Sequence, residues 1–584
     1  MLPEKIWDKI SELYGSQSAS AITASLERLL ERYQTLQNSS VPDFLTERDV
    51  MLITYADSLH QPGREPLKSL SQFCRNRLDN LVNIVHILPF FPYSSDDGFS
   101  VIDYRQVNPH HGDWPHIKRI NQYVDLCFDL VINHASTSSH YFKAFLADAP
   151  EYRNFFIEMD EHADTASVVR PRTSPLLHCY SASGKDKWCW TTFSQDQADL
   201  NFQNPAVLLE MLDILLFYVS QGARIIRLDA IAYLWKQLGT SCVHLPQCHL
   251  LVQLIRVILD EVAPHTLLLS ETNFPHEDNI SYFGDGSNEA QMVYNFPMPP
   301  LVLFSIASGN AAHLTRWARS IKPVSQRTTF LNFTASHDGI GVRPAASLLS
   351  PEEFQSLIRR TTDHGGQVSY KNDNNGQPIP YELNINYFDA LNDPGNPEPD
   401  EDLQIDRFLL SQSIALVFLG IPAIYIHSLV GSRNWTDGPV QTGRARSINR
   451  ERLELDLIEQ QLHDPLSRRG KIFHRYARMI SLRRQQRAFH PCAPQQILDL
   501  GPEIFALART APDRSETIIA LHNVTGQTQQ LTLDTSLLES QPQGKLTDLI
   551  TDTSLSASDS GLYQLSIKPY RFAWLRGERS NRRN

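Results

Sequence analysis

Eight short apolar runs recur along the chain: MLITYAD, LVNIVHILPF, CFDLVINH, RIIRLDA, TLLLSET, QMVYNF, TTFLNFTASHD and PAIYIHS. Each is continuous enough for a strand buried on both faces, and the segments between them, such as 202–221 and 244–263, read as helices. Strands of that kind alternating with helices make a parallel sheet. Eight of them predict an α/β fold, a (β/α)8 TIM barrel, in preference to an open doubly wound sheet. No G-x-G-x-x-G follows any run, which removes the usual dinucleotide fingerprint.

Spacing and composition divide the rest. About 90 residues separate Asn133 from Arg224, far more than one helix needs, so 135–200 is expected to be an inserted subdomain after strand 3. Residues 1–48 precede the first strand and carry amphipathic patterns such as ASLERLLERYQTL, a helical extension. The barrel is expected over 49–134 and 201–495. From 496 to 584 short alternating segments (EIFALART, ETIIALHNV, QQLTLD, YRFAWLRG) predict a C-terminal all-β domain. The stretch 363–406, dense in Asn, Gly, Pro and Asp, reads as loop. Phe408 to Ile426 is the one stretch apolar enough to suggest a membrane span; its Gln412, two serines and Gly-Ile-Pro break favour a buried helix running into a buried strand.

A net charge of −12 argues against a nucleic-acid partner held through phosphates. The basic tail NRRN reads as solvated and frayed. Seven cysteines without CxxC or Cys/His spacing give neither a disulfide framework nor a zinc signature, and MLPEKIWDKI has no signal-peptide core. The expectation is a cytoplasmic protein without a membrane partner; oligomeric state stays open.

In a parallel barrel the C-terminal strand ends share one face, so His134, Arg227, Asp229, Glu271, His337 and Asp338 should converge there, with Asp96 in the loop after the second strand. Arg227 stands two residues before Asp229, and an adjacent guanidinium is expected to lower that carboxyl's pKa and keep it ionised. Three acids and two histidines meet the needs of glycoside chemistry: a nucleophile, an acid for the leaving oxygen, and charge beside an oxocarbenium-like transition state. The same residue types could bind a metal, but no H-x-x-E-H or H-x-H pairing occurs and Arg227 would compete with a cation. Singly, Asp229 or Asp338 could be a helix cap and His134 a structural residue.

Four motifs, DLVINH at 129–134, RIIRLDA at 224–230, LLSET at 268–272 and TASHDGIGV at 334–342, resemble the glycoside hydrolase family that contains α-amylase, and within it the sucrose phosphorylase group. The resemblance covers most of 50–500. It implies that Asp229 is the nucleophile, Glu271 the general acid/base and Asp338 the transition-state-stabilising carboxylate. By the same resemblance Arg227, His134 and His337 contact the glucosyl ring, and Asp96 with Arg450 closes the pocket behind it. Tyr233 and Glu382 are implied on the acceptor side, and Arg172 in VRPRTSPLL with Tyr381 in PYELN as phosphate-binding residues. Arg170 could add positive charge there, although Arg170 and Arg172 could equally be surface salt-bridge partners.

Glu382 stands where the sucrose-specific pattern has a glutamine, and LWKQ follows Tyr233; both traits resemble relatives that use glucosylglycerate or related glucosides. The implied activity is a retaining glucosyl phosphorylase: α-glucoside plus phosphate gives α-D-glucose 1-phosphate plus acceptor, with no cofactor and no metal. The alternatives are a hydrolase or transglucosidase of the same family and a non-catalytic barrel that only binds.

Overall fold

The computed structural model describes residues 2–38, 44–182, 184–372, 377–397, 400–538, 545–559 and 561–577. The eight apolar runs form the eight strands of a closed parallel barrel: β1 (Met51–Thr54), β2 (Ile84–Ile87), β3 (Asp125–Leu130), β4 (Ala223–Leu228), β5 (Leu267–Ser270), β6 (Met292–Tyr294), β7 (Thr329–Asn332) and β8 (Ile421–Tyr425). Each pairs with its sequence neighbours, and β1 closes the ring by pairing with both β2 and β8. The strands are buried along nearly their whole length because helices cover the outside and side chains fill the inside, which is why they read as unbroken apolar runs.

The covering helices follow the expected pattern. α1 (Glu4–Tyr14) and α2 (Ser16–Glu31) form the N-terminal extension. α3 (Pro205–Ser220) follows the insert, α4 (Pro246–Val262) follows β4, and α5 (Glu401–Val417) runs into β8. Each of these last three is long, and α3 and α4 open with proline at the first helical position, where no N–H is needed. α1 lies against α4: Lys9 Nζ donates to Gln253 at 2.6 Å, and Tyr14 donates to the Phe202 carbonyl at 2.8 Å. The apolar stretch 408–426 is thus helix then strand inside the barrel wall, and no helix among the described residues is long and apolar enough to cross a membrane.

Between β3 and β4 the chain makes a three-stranded antiparallel sheet (Glu158–Met159, Leu177–Ala182, Lys185–Trp190), and Gln197–Asp199 pairs back onto His134–Ser136. A buried ion pair fastens this return to the barrel: Lys236 Nζ lies 2.6 Å from Asp199 and donates to Asn133 at 2.7 Å. The stretch 363–406, expected as loop, instead holds a hairpin, Gln367–Asn372 against Pro378–Asn384, whose second strand also pairs with Ile340–Gly341. The turn-forming residues that suggested loop cluster at 373–376, outside the described residues, while Val368, Ile379 and Leu383 on either side carry the pairing.

The C-terminal region is all β. A six-stranded antiparallel sheet and the pair Gln529–Asp534 with Leu562–Ile567 enclose a second apolar core around Leu521, Leu533 and Tyr563. Trp574 donates to Ser413 of α5 at 3.0 Å, and the buried Arg509 donates to the Val417 and His490 carbonyls, so polar bonds join this region to the barrel. The NRRN tail lies outside the described residues.

Candidate active site

The site begins with register. Parallel pairing sets Arg227 of β4 directly beside Asp129 of β3, so a guanidinium and a carboxylate meet inside the barrel. Arg227 Nη1 bonds Asp129 Oδ1 and also bonds Asp229 Oδ1 at 2.8 Å; the other Asp129 oxygen is 2.6 Å from His86 Nε2. Arg227 is therefore shared between two acids. Burial raises the Asp229 pKa above its usual value and the Asp129 charge adds to that, with Arg227 and His134 pulling the other way. The expected depression is corrected here: two residues of sequence showed the guanidinium, but neither the burial nor its second partner.

Asp229 caps no helix. It is followed by Ala230, held at φ +50°, a left-handed conformation that costs a residue with a Cβ about 1–2 kcal/mol. That turn aims the Ala230 N–H at Glu271 Oε2, 3.3 Å away, so the end of β4 and the residue after β5 are tied together. Burial pushes the Glu271 pKa up to about 7; the Arg227 charge opposes this and the Asp229 and Asp338 charges reinforce it. The two neighbouring carboxyls thus have different partners, a guanidinium for Asp229 and a backbone amide for Glu271.

Asp338, after β7, is the opposite case. Burial works against its charge, but Arg446 and Arg450 hold its carboxyl well below the usual range. Arg446 is 2.7 Å from Asp338 and grips Glu382 with two bonds of 3.0 and 2.5 Å. His337 stacks on Phe99 with ring centroids 5.1 Å apart, and burial lowers its pKa to about 3, so its ring is neutral; its Nδ1 is buried without a partner. His134 sets its Nε2 2.9 Å from the Phe99 carbonyl.

The DDG turn after β2 gives its two consecutive acids different settings. Asp96 and Asp97 both have positive φ, and a Cβ at Gly98 would sit 2.5 Å from the Pro89 carbonyl oxygen, so glycine is required there. Asp96 faces the cavity, takes a 3.1 Å bond from Gln197, and has its pKa held down, against burial, by Arg446, Arg172 and Arg450. Asp97 forms the ion pairs with Arg450 and, at 2.7 Å, with Arg444. Arg450 lines the adjoining vestibule together with Asp96, pairs with Asp97, and braces the wall by donating to the His337 carbonyl at 2.6 Å.

The other expected residues line one cleft of about 730 Å³ counted to its open mouth: the three carboxylates, Asp96, His134, Arg227 and His337, with Tyr233, Arg172, Tyr381 and Glu382 toward the outside. Arg172 forms no ion pair among the described residues; its guanidinium lies between the rings of Phe193 (5.7 Å) and Tyr381 (5.6 Å). Arg170 does not line the cleft, and its Nε and Nη2 are buried without partners. Sequence reading missed Arg446, Asp97, Gln197 and Arg343. GRARSINR presents Arg444, Arg446 and Arg450 at short spacing, a signal that could have found the first of them.

A family model for the catalytic domain of α-amylase matches residues 78–341. A glucosylglycerate phosphorylase of Spirochaeta thermophila is 43% identical over 98% of this chain and 98% of its own length. The chain belongs to the α-amylase family, among its glucosyl phosphorylases. Another member of that group, the glucosylglycerate phosphorylase of Escherichia coli, is 39% identical over 98% of this chain and all of its own. Among solved structures, sucrose 6F-phosphate phosphorylase from Thermoanaerobacter thermosaccharolyticum superposes with a TM-score of 0.71 at 22% identity, covering 91% of this chain and 100% of its own; that likeness is one of fold. In this α-amylase-family chain all three motif acids are present and face the same cleft.

Proposed function

We propose that the chain is a retaining phosphorylase of glucosylglycerate, forming α-D-glucose 1-phosphate and glycerate through a covalent glucosyl-enzyme. The observation that carries this reading is the carboxyl pair facing one cleft: Asp229 bonded to Arg227, and Glu271, pushed up to about 7, reached by the amide of the intervening turn. The full-length likeness to glucosylglycerate phosphorylases supports the choice of substrate.

In the first half, Asp229 attacks the anomeric carbon while Glu271 gives its proton to the glycosidic oxygen. The glycosidic C–O bond breaks, an ester to Asp229 forms, and the acceptor leaves with its hydroxyl restored. In the second half a protonated phosphate oxygen attacks the same carbon and gives its proton back to Glu271, the ester breaks, and Asp229 is regenerated; two inversions give net retention. Asp338, kept ionised by its arginines, holds sugar hydroxyls and steadies positive charge at the ring. Asp96, His134, Arg227 and the free Nδ1 of His337 surround the glucosyl unit, and Arg450 supports them through Asp97 and the His337 carbonyl. Arg172 and Tyr381 receive phosphate. Tyr233 stands on the acceptor side, where Glu382 positions Arg446.

The seven cysteines form no disulfide, and six are buried thiols, which suits the reducing cytoplasm as the site of action. The test is incubation of glucosylglycerate with and without phosphate. The expected result is α-D-glucose 1-phosphate that appears only with phosphate; free glucose released at the same rate without it would make the chain a hydrolase.

A further inference from the structure

The cleft divides by charge. Two of its arginines are matched to carboxylates: Arg227 to Asp129 and Asp229, Arg446 to Asp338 and Glu382. The other two, Arg172 and Arg343, have no carboxylate partner among the described residues. Arg343 is half-buried, its guanidinium 4.7 Å above the Phe274 ring, and it shares the cleft wall with Glu271, Tyr233 and Asn273.

The place of Arg343 is set by its neighbours. It begins the turn after Ile340–Gly341, five residues beyond Asp338, and the preceding Val342 N–H donates to the Tyr381 carbonyl at 3.1 Å. A Cβ on Gly341 would meet the Asn273 side chain at 2.8 Å, so glycine there lets Asn273 reach the wall. Asn273 Oδ1 is buried and accepts no hydrogen bond. The wall of one cleft thus carries an unpaired cation and an unpaired acceptor, a combination that is costly when empty and fits a ligand with both a carboxylate and a hydroxyl.

On the phosphorylase reading, phosphate enters this cleft only in the second step. During the first step the acceptor fills the same space, and a neutral acceptor would leave both guanidiniums uncompensated in a partly desolvated cleft. We infer that Arg343 is a specificity-determining residue that binds the carboxylate of a small hydroxy-acid acceptor, while Arg172 remains for phosphate. This rests on the phosphorylase reading and adds to it the residue that selects the acceptor.

The test uses the reverse reaction of the full-length protein from α-D-glucose 1-phosphate, with D-glycerate, glycerol or arsenate as the receiving group. Glycerol has a neutral hydroxymethyl group in place of the carboxylate, and arsenate stands in for phosphate with no organic acceptor. In Arg343→Met the ratio of kcat/KM for glycerate over glycerol should fall about 100-fold from wild type, since a lost charge-assisted pair acts on only one of them. Arg343→Lys should recover part of the ratio, and arsenolysis should fall far less than transfer to glycerate. An unchanged ratio, or arsenolysis that drops as much as glycerate transfer, would overturn the assignment; the latter would place Arg343 on phosphate. A wild-type protein inert toward α-D-glucose 1-phosphate with all three would overturn the phosphorylase reading and this assignment together.

Discussion

Asp229→Asn should lower kcat by at least about 10⁴-fold while leaving the fold and sugar binding intact, because an amide of the same shape cannot form the ester on which both half-reactions depend. The fold should survive. Arg227 keeps its bond to Asp129 whether or not position 229 is charged, and burial already raises the cost of ionising Asp229, so the loss of one carboxylate removes no irreplaceable contact. Steady-state rates with glucosylglycerate and phosphate, beside a thermal melt, check both parts. Activity within tenfold of wild type would remove Asp229 from the mechanism.

Glu271→Gln carries the second large effect, and its size should depend on the leaving group. With glucosylglycerate, whose alkoxide leaves poorly unless protonated, a loss of about 10²–10⁴-fold is expected; with α-glucosyl fluoride, which needs less help, the loss should be much smaller. Glu271 must be protonated in the free enzyme, and burial with its acidic neighbours pushes its pKa up to about 7. Wild-type kcat/KM for the glucoside should therefore decline as pH rises through about 7, and the variant should lack that limb. The same shift has a sign for stability: a carboxyl with a raised folded pKa costs stability as pH rises from its ordinary range through about 7. Glu271→Gln should thus melt higher than wild type at pH 8, with the difference shrinking at pH 5. A pH-independent loss of activity would contradict the role as acid.

The barrel was legible because strands buried on both faces must be apolar throughout, and all eight runs lie in its wall. Position along the chain then placed the motif acids at strand ends, and barrel geometry alone brings those ends to one face. What could not be read was partnership. Asp129 lies inside DLVINH, yet nothing local says that register sets it against Arg227 and divides the guanidinium that was assigned to Asp229 alone. Asp96 and Asp97 are adjacent letters whose left-handed backbone gives them different settings, so the ion pair of Asp97 with Arg450 could not be read from the sequence. The hairpin at 367–384 was hidden because its half-exposed strands and prolines resemble loop, and its pairing with Ile340–Gly341 is a contact distant in sequence. Arg343 drew no notice for the same reason: its importance lies in the partner it lacks.

One measurement addresses the central claim without passing through rates. Glu271→Gln supplied with α-glucosyl fluoride and no phosphate should form the ester and resolve it slowly, so the protein should gain the mass of one glucosyl unit. After proteolysis that mass should sit on the peptide containing Asp229, and phosphate added before quenching should remove it. A glucosyl unit on another residue, or none on a variant that still releases fluoride, would contradict the account.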